Sequence, residues 1–448
     1  MKRRAFVRNS TLGLAGGLIL PAWISGCKKP LGNFPEGFKI IVVGAGAAGL
    51  YAAKKMKEHG AEVQILEASG VIGGRIKKTD DFADYPIDLG AEWIHGQKSL
   101  THSLASDAGV PFYVDNSDSK YLVNGTLQND FSNADLNQIE NLLEGDQNYS
   151  GPDMSVLSYA QQIGLDASMY DLLEFITGEL GAAASRISIK YTQQEFEDWS
   201  SGGTDFKLKT SYFDLLQSTV ATHVQDEVVL NAPVAAIDYS GQMVQVTTEG
   251  GSVYEADRVL VTVSIPVLKS GSISFSPSLP EEKLTAISVI GMDAGMKVCL
   301  KFSTDFWGGN SLIGADKSPV YWSSAYGKDG STPILTAFVM GEKAEYLSSL
   351  GQGVVQELLV ELDAVYGGQA TSSFVDSLIQ DWGQEPYIGG AYSYSTIGIG
   401  NSRAILAEAV NSKLFFAGEA TNFNGHFQTV QGAMESGERE FEKILCSV

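Results

Sequence analysis

The sequence predicts an α/β fold that opens with a βαβ unit, and three observations predict it. Phe38-Lys39-Ile40-Ile41-Val42-Val43 is a continuous apolar run. Gly44-Ala45-Gly46-Ala47-Ala48-Gly49 follows at once, and Ala61-Glu62-Val63-Gln64-Ile65-Leu66 reads as a second strand with Glu67 at its end. A run without polar alternation, as in the first of these, suits a parallel strand covered on both faces. The stretch between them, 44–59, is predicted as a helix starting at the glycine turn.

The elements in order begin with a segment that is not fold. Residues 1–27 hold a basic start with Arg3-Arg4 before Phe6, a short Gly-rich apolar run from Thr11 to Leu20, and Ile24-Ser25-Gly26-Cys27. That is the pattern of a twin-arginine signal ending in a lipobox, with Cys27 as the acylated residue. It predicts export across a bacterial inner membrane, to the periplasm or to a lipoprotein anchored through Cys27. Residues 28–37, with Pro30, Gly32 and Pro35, read as a linker. The stretches 133–143, 154–163 and 169–178 read as amphipathic helices, in a middle region with few strands. Strand character returns at 228–234, 236–239, 244–248 and 258–263, and from 278 to 396 helices and strands mix. The tail from Leu414 reads as strand, loop and helix. The simplest arrangement is a nucleotide domain from 38–120, 220–277 and 396–448, into which 121–219 and 278–395 insert an α+β substrate-binding domain.

The glycine turn is G-x-G-x-x-G placed between strand and helix, the context in which this motif carries meaning. Gly44 makes the tight turn, Gly46 lets a pyrophosphate approach the backbone, and Gly49 lets helix and strand pack closely. The helix N-terminus at Ala47 and Ala48 favours phosphate, and Glu67 is placed to accept from ribose hydroxyls and to disfavour a 2′-phosphate. Ala68-Ser69-Gly70-Val71-Ile72-Gly73-Gly74-Arg75 adds a second glycine cluster and a guanidinium, which suits FAD better than NAD.

Gly90-Ala91-Glu92-Trp93-Ile94-His95-Gly96 then resembles the flavin amine oxidases, its version in the polyamine oxidases above all. The resemblance continues through Val229–Val234, through 257–266, through Gly291 to Val298, through Trp382 to Tyr392 and through Leu414 to Gly437. It implies a Rossmann-like, glutathione-reductase-like FAD domain and an enzyme that oxidises an amine with O₂, releasing H₂O₂. It also implies that Gly44, Gly46, Ala47, Ala48, Gly49, Glu67, Ala68, Gly74, Arg75, Gly90, Ala91, Glu92, Trp93, Val234, Gly418, Glu419, Thr429 and Val430 surround FAD. Lys297 would hold a water near the flavin, Tyr392 would form one wall of an aromatic cage, and Trp382 would pack beneath the ring system. Glu92 would face the tunnel and bind the distal ammonium of a polyamine, with His95 assisting. Ala391 stands where the monoamine oxidases carry the cysteine that bonds the flavin, so FAD is expected to be non-covalent. The loop Asn422 to Gln428 departs from the family pattern, and the second cage residue is expected at His426 or Phe427.

The chain carries a net charge of −22, which repels nucleic acid and anionic lipid and favours a cationic substrate. His59, His95, His102, His223 and His426 show no metal-ligand spacing. Three other readings stay open: an L-amino-acid oxidase with Arg186 clamping a carboxylate, a flavin-dependent desaturase or protoporphyrinogen oxidase with a greasy tunnel, and a non-catalytic polyamine-binding flavoprotein.

Overall fold

A computed structural model describes residues 32–123, 125–129, 138–139, 141–145 and 149–448. The expected signal at 1–27, its Cys27, the first part of the linker and most of the helix expected at 133–143 lie outside the described residues.

The opening unit is a strand Lys39–Val43, a helix Ala47–Glu58 and a strand Glu62–Leu66. The helix starts three residues later than expected, because Gly44 takes φ 105° in the turn and Gly46 is still extended. The two strands pair in parallel, Lys39 opposite Glu62 through Val43 opposite Leu66. They belong to a five-stranded parallel sheet whose order is Val228–Val229, Glu62–Leu66, Lys39–Val43, Arg258–Val261, Leu414–Phe416. Three distant stretches of chain therefore build one sheet. Ile40, Val42 and Ile65 face one core with the helix, while Ile41, Val43 and Leu66 face a second core on the other side. The final helix, Val430–Cys446, lies against the first one, with Met434, Phe441 and Ile444 in the same core.

The stretch expected as one strand at 228–234 is two. Asn231 takes φ 54°, its N–H donates to Ser69 O, and the chain leaves the parallel sheet to start a second strand, Val234–Asp238, in a four-stranded sheet. An Asn in the left-handed region ends the first strand where apolar periodicity alone sees no break.

The middle region holds the helices Val156–Gln162 and Tyr170–Glu179, close to expectation. It also holds strands that the sequence hid. Ser119–Val123 and Thr126–Gln128 join a seven-stranded sheet with Gly295–Phe302, Ser311–Ile313, Val320–Ser323, Ile334–Met340 and Phe374–Asp381. Asp205–Leu208 is the central strand of a three-stranded sheet, flanked by Trp93–His95 and Phe112–Val114. All four residues Asp205 to Leu208 are buried, yet two of them are charged, which removes the apolar signature of a buried strand.

Candidate active site

One large cavity, about 970 Å³, runs from the glycine turn to the face of the seven-stranded sheet. Its first wall is built by the βαβ turn. A Cβ placed on Gly46 would meet nothing within 4 Å, so this glycine leaves open space where a group can approach the backbone. A Cβ on Gly49 would sit 2.1 Å from Gly44 O, so this one serves packing between helix and turn, and it does not line the cavity. No side chain caps the first turn of helix Ala47–Glu58, and Ala47 and Ala48 line the cavity, so backbone N–H groups and the positive end of the helix face it. The N-terminus of Val430–Cys446 arrives at the same wall, capped by Thr429, whose Oγ1 accepts from Gly432 N–H at 3.0 Å.

Glu67 is buried at the end of its strand and accepts from Ala45 N–H at 2.7 Å and from the Ser69 N–H and hydroxyl at 2.9 Å. It ties the glycine turn to the second glycine loop while lining the cavity. Arg75 donates from Nη1 to Ala391 O at 2.7 Å and to Glu419 Oε1 at 3.0 Å. Glu419 also accepts from the Ser393 hydroxyl and from Gln428 N–H, so one carboxylate joins three separate segments around the cavity. Burial pushes the Glu419 carboxyl up, but Arg75 and Arg403 outweigh it and hold it below the usual range. Ala68, Gly74, Gly90, Ala91, Val234, Gly418, Thr429 and Val430 complete this wall. An uncapped helix N-terminus beside an open glycine, with a ribose-side carboxylate at the adjacent strand end, fits a dinucleotide diphosphate. The cavity continues past Arg75 to Lys297 and Tyr392, and its volume of about 970 Å³ has room for a molecule larger than a mononucleotide.

The far end is aromatic and charged. Tyr392 donates its hydroxyl to Glu179 O at 2.7 Å, and its ring lies against Gly181, where a Cβ would meet it at 3.2 Å. Trp382 is buried and donates its indole N–H to Leu89 O at 3.0 Å. Lys297 stands on the strand Gly295–Phe302, buried, and donates to Asp88 O at 3.0 Å and to Glu92 Oε2 at 2.7 Å. Glu92 is buried too, and its other oxygen, Oε1, is bound by Lys207. Burial pushes the Glu92 carboxyl up, yet the two ammonium groups prevail and hold it at about 2. Lys207 lies 4.7 Å from the Trp93 ring centroid and Lys297 lies 5.2 Å from that of Trp322, and the two indoles meet edge to face at 4.8 Å. His95 pairs through Nδ1 with Asp205 at 3.0 Å and lines the cavity.

Glu92, Trp93, His95, Lys297, Trp382 and Tyr392, the residues that the family resemblance singles out, all line this cavity. The two candidates for the second cage residue do not. His426 is buried between Glu435, on Nδ1 at 2.8 Å, and Ser201, on Nε2 at 3.1 Å. Phe427 is buried with the Arg403 guanidinium 3.6 Å above its ring. Neither lines the cavity, and Gln428 does. The expectation of a cage partner at either position is therefore corrected: the loop turns at Gln428, with φ 68°, and it is Gln428 that reaches the cavity. The aromatic lining comes instead from Trp93, Tyr121, Trp322 and Phe338. Lys207 and Trp322 are the residues sequence reasoning missed. The signal for Lys207 was two charges at alternate positions, Asp205 and Lys207, set between Phe206 and Leu208. Arg186, the candidate carboxylate clamp, is engaged by Asp293 at 2.7 Å and does not line the cavity.

The family described as flavin containing amine oxidoreductase matches this chain over residues 47–168 and 213–445. Lysine-specific histone demethylase 1 homolog 3 of Arabidopsis thaliana is 30% identical over 91% of this chain, which spans 30% of that protein's length. Polyamine oxidase 4 of Oryza sativa subsp. japonica is 27% identical over 94% of this chain and 90% of its own. A solved structure of putrescine oxidase bound to putrescine superposes with a TM-score of 0.78 at 20% identity, covering 91% of this chain and 99% of that one. The family match reaches across both walls of the cavity, from Ala47 at the start of the first helix to Lys297, Tyr392 and Glu419. The chain belongs to the flavin containing amine oxidoreductases, and its cofactor is FAD.

Proposed function

We propose that this chain oxidises a carbon–nitrogen bond of a primary or secondary amine to an imine, with O₂ reduced to H₂O₂. Water then splits the imine into an aldehyde and a smaller amine. One observation carries the reading: Lys297, Trp382 and Tyr392 line the same cavity as the glycine turn. FAD, when bound, supplies the two-electron acceptor. The chain's own part is positioning. Two of the three Lys297 N–H groups are used by Glu92 and Asp88 O, which leaves the third for a water or substrate in the cavity. Trp93, Trp322, Phe338 and Tyr392 exclude bulk water and give the amine an aromatic approach. No side chain is needed as a general base.

A polyamine is the substrate class we favour. The names of the relatives, polyamine oxidase 4 and putrescine oxidase, support it, as do Asp115 and Asp118 in the lining. The amino-acid oxidase reading loses its motive, since Arg186 is spent on Asp293 and Arg75 on Glu419. A desaturase would need an apolar tunnel, whereas Glu92, Asp115, Lys207 and Lys297 line this one. We also propose that residues 1–27 direct export and that Cys27 anchors the mature protein.

Anaerobic mixing of the yellow protein with spermine, spermidine, putrescine, monoamines and L-amino acids tests the reaction. Loss of the oxidised flavin band with amines but not amino acids is the expected result. Bleaching by amino acids alone, or by nothing, refutes it. Lys297→Met is expected to retain the flavin and slow its reduction or reoxidation at least about tenfold.

A further inference from the structure

Glu92, Trp93 and Trp322 together make a site for a cation: a buried carboxylate bordered by two indole rings. In this chain that site already holds two cations of its own. Lys297 takes one oxygen of Glu92 and Lys207 takes the other. Lys297 alone would balance the charge of Glu92; Lys207 is the second ammonium on that carboxylate, and against burial its charge also holds the Asp115 carboxyl below the usual range. It comes from the strand Asp205–Leu208, which pairs antiparallel with Trp93–His95 so that Lys207 stands opposite Trp93 and Asp205 opposite His95. The other charged groups facing this corner have partners. Asp115 accepts from Trp93 Nε1 at 2.9 Å and from Ser117, and Asp205 accepts from His95. On the side away from the cavity, Lys328 lies 3.9 Å from Asp88 and donates to Leu208 O.

Balancing the charge of Glu92 does not by itself call for a second lysine. Burying an ammonium costs solvation, and an apolar side chain of similar volume would fill the gap between two indoles as well or better. What Lys207 does is remove a binding position, since both Glu92 and Lys207 line the cavity. We propose that Lys207 is a specificity-determining residue whose ammonium occupies, on Glu92 and beside Trp93, the position that the second ammonium of a short diamine would otherwise take. The inner end of the cavity then accepts an amine whose far end is uncharged at that depth. The distal charges of a longer polyamine are read elsewhere on the lining, at carboxylates such as Asp118. This inference rests on the amine-oxidase reading and names its substrate range.

The test compares putrescine with butylamine, which have the same carbon chain and differ in the second amine. The readout is the ratio of their second-order rate constants for anaerobic flavin reduction. Lys207→Met is expected to raise the putrescine-to-butylamine ratio roughly tenfold, because Glu92 regains an open oxygen for a charge-assisted hydrogen bond. Lys207→Arg should keep the original ratio, and Lys207→Met with Glu92→Gln should lose the gain. A ratio at or below that of the unaltered protein in Lys207→Met, or a gain that survives Glu92→Gln, overturns the proposal. If Lys207→Met does not hold flavin, Lys207→Gln runs the same comparison. If no amine reduces the flavin of the unaltered protein, the amine-oxidase reading has failed. The ratio of putrescine to butylamine affinities, read from perturbation of the flavin spectrum, then decides the Lys207 question by the same criteria.

Discussion

Gly46 and Gly49 stand three residues apart in one turn and do opposite jobs. A side chain at Gly46 would project into open space, whereas one at Gly49 would collide with Gly44 O. Gly46→Val is therefore expected to fold with near-normal thermal stability and to lose FAD, giving a colourless protein. Gly49→Ala is expected to lower stability by about 1–3 kcal/mol, the usual cost of forcing extra volume into a packed contact. Visible absorbance and thermal midpoints of both variants check the pair. A yellow Gly46→Val would remove the assignment of that space to the dinucleotide. The same scale explains why Glu92 was legible as a site residue while its partner was not. A motif beside a glycine marks Glu92, but nothing in the sequence around Lys207 says which carboxylate it will meet 115 residues back along the chain.

Among elements, the two helices whose N-termini reach the cavity divide the work between sequence and fold. The helix Ala47–Glu58 was readable because its glycine motif sits between two strand-like runs. The helix Val430–Cys446 was readable as a helix, but its approach to the same wall depends on its packing against the first one. Thr429 caps it, and Val430 lines the cavity beside Gln428. Thr429→Ala should cost about 1 kcal/mol of stability, typical for removing an N-cap hydroxyl. Because that helix end faces the dinucleotide wall, the variant is also expected to release FAD more readily, measured as free flavin after gel filtration. Unchanged retention would separate the cap from cofactor binding. The strand Asp205–Leu208 shows the limit of pattern reading: its charges are satisfied by His95 and Glu92, so a fully buried strand carries polar residues.

In the whole molecule, buried charge makes stability depend on pH in two opposed ways. Burial pushes the Asp88 carboxyl up from 3.8 to about 7, with Lys328 opposing. A raised carboxyl contributes stability that is present below the unfolded value, about 3.8, and is lost as pH climbs through about 7. Glu92 works the other way: its contribution is present above 4.5 and is lost as pH falls towards 2. Asp88→Asn should therefore gain thermal stability relative to the unaltered protein progressively between pH 4 and pH 7. Midpoints measured across that range check it, and a constant difference between the two proteins would contradict it.

The strand-like runs, the glycine turn and Glu67 were sufficient to determine the opening βαβ unit, because each depends on contacts within about thirty residues. The blocks that resemble the family are themselves local, and most of the site residues they named line the cavity. The tertiary structure alone decided which distant groups share a pocket. It sent His426 and Phe427 into the core, brought Trp322 and Lys207 to the cavity, and gave Glu92 two lysines. Local backbone preference determines elements; the identity of a charge's partner is settled by sheet register and packing between segments far apart in the chain, and no short stretch of residues contains that information.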